Sequence, residues 1–149
     1  ESAKIAFSYI KANSKKFGID EKVLSDNNIH IHVPEGAIPK DEPSAGVSLT
    51  TALISLFTDK KIPSSVAMTG EITIRGNVLA IGGLKEKVIG AHRANVKTIF
   101  IPHENERDLV EIPDEVKKDI DFILVDKYME IYDYLMGGKE NGRKRNNTK

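Results

Sequence analysis

Residues 84–102 read LKEKVIGAHRANVKTIFIP. A helical repeat of 100° per residue places four apolar side chains on one stripe of a helix predicted over residues 84–95: Leu84, Val88, Ala91 and Ala94. A strand is predicted at 97–101, which contains β-branched and aromatic side chains and is closed by Pro102. A helix that leads directly into a strand is typical of domains that combine both element types.

The segments on either side continue this alternation. Further helices are predicted at 3–17 (ending at Gly18), 47–57, 104–110, 114–119 and 127–136, and further strands at 29–33, 65–74, 77–81 and 122–125. Arg75-Gly76-Asn77 is predicted to join the strands at 65–74 and 77–81 as a hairpin. We therefore expect a compact single α/β domain over residues 1–136, built from a mixed sheet with flanking helices. Residues 137–149 are mostly Gly, Asn, Lys and Arg without apolar side chains, so we expect a disordered basic tail.

Composition limits the classes of function. A chain of 149 residues fits one domain with a real core. Its net charge of zero makes nucleic-acid binding unlikely and gives no reason to expect attraction to an anionic membrane. The absence of cysteine excludes disulfides, thiolate metal sites and cysteine nucleophiles. No apolar run reaches the roughly 18 residues of a membrane span. The chain begins with Glu1, so we interpret it as part of a longer protein.

Ser44 is the first candidate for chemistry. It follows Pro43 at the predicted start of the helix at 47–57, after an irregular proline-rich loop. The first amides of a helix have no internal partner and stabilise negative charge, which is what an oxyanion hole requires. The alternative is an ordinary helix cap, for which serine is a preferred residue. Position alone favours the cap.

Lys87 is the candidate base. It falls between Ala91 and Ala94 on the apolar stripe, whereas Lys85 lies well outside it. Burial disfavours the charged form of an amine and makes the neutral form available to accept a proton. The alternative is a lysine whose stem packs while its ammonium group reaches water, and the stripe alone favours this alternative.

The histidines offer a rival site. His30 and His32 share one strand face and could combine with Asp41 as metal ligands, or with Ser44 and Asp41 in a Ser–His–Asp arrangement. Two histidines are too few for a closed zinc site, so a half-exposed sheet surface is preferred. No partner is predicted for His92 or His103. A nucleotide site at Gly82-Gly83 is rejected, because the full phosphate-loop pattern is missing.

Several ordered blocks resemble the proteolytic domain of Lon-type ATP-dependent proteases. Residues 39–46, Pro-Lys-Asp-Glu-Pro-Ser-Ala-Gly, are similar to the family's nucleophile motif Pro-Lys-Asp-Gly-Pro-Ser-Ala-Gly. Residues 68–73, Met-Thr-Gly-Glu-Ile-Thr, and 82–87, Gly-Gly-Leu-Lys-Glu-Lys, resemble the next two blocks. The likeness continues through Ala91-His92-Arg93, Ile101-Pro102 and residues 105–109, and so covers nearly the whole chain apart from the tail.

The resemblance implies a serine endopeptidase with a catalytic dyad. Ser44 would attack the peptide carbonyl, and neutral Lys87 would accept the hydroxyl proton. Thr69 would orient Lys87, and the loop amides around Ser44, with those of Asp41 and Glu42, would be candidates for the oxyanion hole. The family has no catalytic histidine, and we expect no metal. Glu42 departs from the motif glycine and puts the conformation of the loop in question.

The resemblance also implies a larger assembly. Lon-type proteases are homohexameric rings in which an ATPase module, N-terminal to the proteolytic domain, feeds unfolded polypeptides to the protease. ATP and magnesium would serve that module, and no cofactor is expected in this chain. The parent protein would be cytoplasmic, or in an organelle matrix in a eukaryote. Two rivals remain open, a catalytically idle binding domain of the same fold and a metal hydrolase that uses His30, His32 and Asp41.

Overall fold

The computed structural model describes residues 1–26 and 46–137. The α-helices are α1 Ser2–Ala12, α2 Ser14–Phe17, α3 Glu21–Asp26, α4 Gly46–Thr58, α5 Leu84–Arg93, α6 Asp114–Lys117 and α7 Tyr128–Met136, and a 3₁₀ helix spans His103–Glu111. The strands are β1 Val66–Met68, β2 Glu71–Ile72, β3 Val78–Leu79, β4 Thr98–Pro102 and β5 Asp121–Val125. The α/β class predicted from the alternation of patterns is confirmed.

The strands of the described residues form two sheets. In the first, β4 lies between β1 and β5 and pairs parallel to both, with Thr98 opposite Val66 on one side and Asp121 on the other. In the second, β2 and β3 pair antiparallel, with Glu71 opposite Leu79. Parallel neighbours need long connections. Here α5 lies in the connection from β1 to β4, and the 3₁₀ helix with α6 lies in that from β4 to β5.

Two apolar clusters cover the two faces of the parallel sheet. Successive side chains of a strand point to opposite faces, and β4 follows this rule, since Phe100 belongs to one cluster while Ile99 and Ile101 belong to the other. We call the Phe100 side the first cluster; it contains residues of α1, α2, α4 and α7. The Ile101 side, the second cluster, contains residues of α5, the 3₁₀ helix and α6. The sheet is therefore the shared middle layer.

Most predicted elements are present within one or two residues of their predicted bounds. The helix at 3–17 is divided into α1 and α2 at Asn13 and ends at Gly18, whose φ of +71° is the left-handed conformation of a helix C-cap. The segment at 104–110 is a 3₁₀ helix, and α6 is shorter than the predicted 114–119. Helix α3 was not predicted. The predicted strand 29–33 and the tail beyond Gly137 lie outside the described residues.

The prediction of one strand over 65–74 is wrong. The amide of Thr69 still bonds to the Phe100 carbonyl at 3.1 Å, which continues the edge of β1, but the Gly70 carbonyl accepts from the Val47 amide of α4. Gly70 has φ +143°. The chain therefore leaves the parallel sheet at Gly70 and enters the antiparallel pair as β2. The hairpin through residues 75–77 is confirmed, although β3 is shorter than the predicted 77–81.

No helix within residues 1–26 and 46–137 combines the length and the apolarity that a membrane crossing demands.

Candidate active site

The serine motif is not among the residues that the structure describes. Ser44, Asp41, Glu42, His30 and His32 all lie outside the described residues. The first described residue after them is Gly46, where α4 begins, two positions beyond Ser44. The prediction of a helix directly after the serine motif is therefore confirmed, while the positions of these five side chains stay predictions.

The first turn of α4 is bound to the segment 68–70. The Val47 amide donates to the Gly70 carbonyl at 3.0 Å, and the Ser48 hydroxyl donates to the Met68 carbonyl at 3.2 Å. At Gly46 the two backbones are so close that an added Cβ would lie 2.8 Å from the Ile72 amide nitrogen. The sequence Ala45-Gly46 thus allows a contact that a larger residue would prevent. The start of α4, at Gly46, is fixed against the segment that contains Thr69.

Thr69 lies between these two hydrogen-bonded carbonyls. Its residue is buried, and its hydroxyl Oγ1 is shielded from solvent without a hydrogen-bond partner among the described residues. An unpaired buried hydroxyl is costly, since it loses its bonds to water without replacing them. Thr69 Oγ1 therefore marks a polar position beside the start of α4.

Glu71 is a feature that the sequence reasoning missed. Its side-chain Oε1 lies 3.2 Å from the position of an added Cβ on Gly46, so a half-buried carboxylate adjoins the N-terminal end of α4. Negative charge is favourable there, because the helix dipole is positive at that end. The signal in the sequence was a charged residue directly after Thr69-Gly70, within an otherwise apolar segment.

Lys87 lies in the first full turn of α5 and is half-buried, whereas Lys85 is exposed. The predicted difference between the two lysines is confirmed. Leu84 and Val88 of the predicted stripe are buried. Ala94 is exposed, because α5 ends at Arg93 and Ala94 is only its C-cap, so including it in the stripe was wrong. Thr69 and Lys87 lie on different elements, and the positioning of one by the other stays a prediction.

Two histidines have partners that the sequence did not indicate. His92 Nε2 lies 2.8 Å from Asp119 Oδ2, and this bond lowers the pKa of the Asp119 carboxyl. His103 Nδ1 lies 3.2 Å from Asp126 Oδ2, and the bond to that carboxylate raises the pKa of the His103 imidazole. Both pairs are at least partly exposed; the first joins α5 to the turn after α6, and the second joins the 3₁₀ helix to the residue that follows β5. In the described part of the chain, no three His, Asp or Glu side chains are grouped as a metal ion would require.

Comparison with known proteins decides the family. Residues 1–138 match the family described as the Lon protease (S16) C-terminal proteolytic domain. This chain belongs to that family. It is 55% identical over 139 residues to a Lon protease of Metamycoplasma arthritidis, an alignment that covers 93% of the chain and 17% of the relative. It is also 53% identical over 149 residues to a Lon protease of Mycoplasmopsis agalactiae, covering 100% of the chain and 15% of the relative.

A third relative gives the same result. The chain is 51% identical over 142 residues to a Lon protease of Clostridium acetobutylicum, which covers 95% of the chain and 18% of the relative. The chain thus spans less than a fifth of the length of the Lon proteases it matches. The resemblance to a Lon proteolytic domain seen in the ordered sequence blocks is confirmed.

Proposed function

We propose that this Lon proteolytic domain cleaves peptide bonds with Ser44 as nucleophile and Lys87 as general base. The Ser44 hydroxyl oxygen attacks the peptide carbonyl carbon while the neutral Lys87 amine takes the hydroxyl proton. The tetrahedral intermediate then collapses to an acyl-enzyme, and the Lys87 ammonium gives its proton to the leaving amine. Water, deprotonated by Lys87, attacks the ester, and the returned proton regenerates the Ser44 hydroxyl.

One observation carries the proposal: the first turn of α4 is hydrogen-bonded on both sides of Thr69. Because Val47 bonds to Gly70 and Ser48 bonds to Met68, the chain leading back to Ser44 starts beside a buried hydroxyl. That hydroxyl lacks a partner among the described residues. An amine is a suitable partner for it, and the half-buried Lys87 fits the role better than the exposed Lys85.

The supporting roles follow the family motif. We assign Thr69 to orienting the Lys87 amine. The backbone amides around Ser44, with those of Asp41 and Glu42, are assigned to the oxyanion hole. A helix that begins at Gly46 adds the positive end of its dipole near the developing oxyanion.

The whole protein would use this activity in a larger machine. We propose that unfolded polypeptides are its substrates, supplied by an ATPase module that binds ATP and magnesium, within a homohexameric ring. The proposed compartment is the cytoplasm, or an organelle matrix in a eukaryote. Neither a membrane nor a nucleic acid is a proposed partner. The support is the match to Lon proteases of which this chain covers 15–18%.

Substitution of the nucleophile tests the proposal. Ser44→Ala is expected to abolish cleavage of a fluorogenic peptide and labelling by a serine-reactive phosphonate. Stability should fall by no more than about 1–2 kcal/mol, the typical cost of losing a helix cap. Activity near that of the parent chain would reject Ser44.

A chelator separates the remaining rivals. The dyad needs no metal, so the parent activity should be indifferent to the chelator. Loss of activity in its presence would favour the site formed by His30, His32 and Asp41. Failure of the phosphonate to label the parent chain would favour an idle binding domain.

A further inference from the structure

Asn105 bonds through its side chain to a distant backbone. It lies in the 3₁₀ helix and is only 2% exposed. Its Oδ1 accepts from the Ile81 amide at 3.0 Å, and its Nδ2 donates to the Ile81 carbonyl at 2.9 Å. The side chain therefore binds both polar groups of one residue, as a neighbouring strand would.

Asp108 determines which way the amide faces. Asn105 Nδ2 also donates to Asp108 Oδ2 at 2.7 Å, so both of its hydrogens are used. An ionised carboxylate only accepts hydrogen bonds, and the amide oxygen has no hydrogen to donate, so the amide nitrogen must face Asp108. Aspartate at position 105 would lose both donated bonds and place two carboxylates in contact. Asparagine is thus specifically matched to Ile81 on one side and Asp108 on the other.

Ile81 lies just before α5, the helix that carries Lys87. Only Gly82 and Gly83 separate Ile81 from α5. An added Cβ on Gly82 would meet nothing within 4 Å, and one on Gly83 would meet only the Glu86 side chain at 3.9 Å. Glycines without neighbours leave the backbone free to change direction. Among the described residues, the side-chain hydrogen bonds that most closely precede α5 in the chain are those between Asn105 and Ile81.

On the same side α5 packs through Leu84 and Val88, and in its last turn His92 bonds to Asp119. Leu84 and Val88 belong to the second cluster together with Leu109 and Ile112, which lie in and directly after the 3₁₀ helix. Apolar contacts are not directional, so they permit small rotations and shifts of the helix. The paired bonds at Ile81 are directional, and they come from the same 3₁₀ helix. The apolar contacts and the paired bonds at Ile81 together determine the position of the first turn of α5.

We propose that Asn105 is a positioning residue for Lys87, holding Ile81 so that the first turn of α5 aims the amine at the reacting groups. This inference rests on the proposed role of Lys87 as general base. Asn105 acts only through the backbone at Ile81. Its loss should therefore reduce turnover rather than substrate binding, because a misplacement of about 1 Å can cost about a hundredfold in rate.

A matched pair of asparagine substitutions tests the proposal on the full chain. Asn105→Asp is compared with Asn13→Asp, since Asn13 also donates from Nδ2 to a backbone carbonyl, that of Tyr9 at 2.9 Å, but on the first-cluster side. With active sites counted by phosphonate labelling, Asn105→Asp should lower kcat at least about tenfold with KM within about twofold. Asn13→Asp should keep both within about twofold. Equal kcat in the two variants would overturn the proposal.

A double variant separates positioning from simple charge repulsion. Asn105→Asp with Asp108→Asn removes the contact between two carboxylates but leaves the Ile81 carbonyl without its donor from position 105. Thermal stability should recover while kcat stays low. Full recovery of kcat would show that only the repulsion mattered, and would reject positioning through Ile81.

Hydrogen exchange gives a reading that does not need activity. In Asn105→Ala, which also removes the oxygen that accepts from the Ile81 amide, the amides of Ile81 and Lys87 should exchange faster, while those of α7 should be unchanged. Unaltered exchange at both amides would contradict the proposal. If Lys87→Ala stays active, the proposed catalytic dyad is wrong. Hydrogen exchange still measures whether Asn105 restrains the backbone at Ile81. If Lys87→Ala is inactive and Asn105→Asp matches Asn13→Asp, only the present inference fails.

Discussion

Lys85 and Lys87 are two positions apart on α5 and lie in different surroundings. Lys85 is exposed and Lys87 is half-buried in the described structure. We predict that Lys87→Ala abolishes peptide cleavage, whereas Lys85→Ala stays within about twofold of the parent, as expected of an exposed side chain. Lys87→Arg should also be inactive, because a guanidinium stays protonated and cannot accept a proton. Steady-state kinetics on one fluorogenic peptide decides this, and equal losses at both lysines would refute the assignment.

Glu42 stands where the family motif has glycine. A carboxylate near an amine favours the charged amine, and a lysine base works only when neutral. We predict that Glu42→Gly shifts the rising limb of the pH–activity profile toward lower pH and raises activity at neutral pH.

Glu42→Gln is the control, because it removes the charge and keeps a side chain. If Glu42→Gln reproduces the shift of the pH–activity profile, the charge of Glu42 is responsible. If only Glu42→Gly raises activity, the conformation of the loop backbone is responsible. Profiles identical to that of the parent in both variants would show that Glu42 does not influence the reaction.

Among the elements, α4 and β2 approach each other closely at Gly46. An alanine at Gly46 would place its Cβ 2.8 Å from the Ile72 amide nitrogen, and backbone atoms cannot rotate away. We predict that Gly46→Ala lowers the free energy of unfolding by about 1–3 kcal/mol, as overpacking does. It should also reduce peptide cleavage, because α4 must shift relative to Thr69.

Gly90 provides the matched control within a helix. It lies in α5, is exposed, and an added Cβ would meet nothing within 4 Å. Gly90→Ala should therefore raise the free energy of unfolding by about 0.5–1 kcal/mol through its better helix propensity. Urea denaturation measures both variants. Stabilisation by Gly46→Ala would show that the contact with β2 is not close.

At the scale of the whole molecule, one parallel sheet joins the two apolar clusters. The four tyrosines all belong to the first cluster, and the chain has no tryptophan, so tyrosine fluorescence reports on that side. Ile101 is fully buried in the second cluster. We predict that Ile101→Ala lowers the free energy of unfolding by about 2–5 kcal/mol. The urea transitions seen by tyrosine fluorescence and by circular dichroism should move together.

A surface truncation on the same side is the control. Val110 is 80% exposed on the 3₁₀ helix, so Val110→Ala should change stability by no more than about 0.5 kcal/mol. A fluorescence transition left unmoved by Ile101→Ala would mean that the two clusters unfold separately.

Features that depend on the local order of residues could be predicted before the fold was known. The apolar repeat located α1 and α5, because a helix must bury one stripe of its surface, and a long apolar stretch located α4. The same repeat placed Lys87 toward the protein and Lys85 toward solvent. Gly18 ended the first helical segment in a left-handed conformation that its lack of a side chain allows. The ordered motif blocks gave the family, now confirmed over residues 1–138.

The distant partners of backbone polar groups, by contrast, became known from the packing of the elements. The segment 65–74 reads as one strand, yet it divides at Gly70, whose carbonyl bonds to Val47 of α4. Ile81 leaves the hairpin to bond with Asn105, 24 positions away. Buried amides and carbonyls must be paired, and the pairing is set by which elements meet in space, information that a local repeat does not contain.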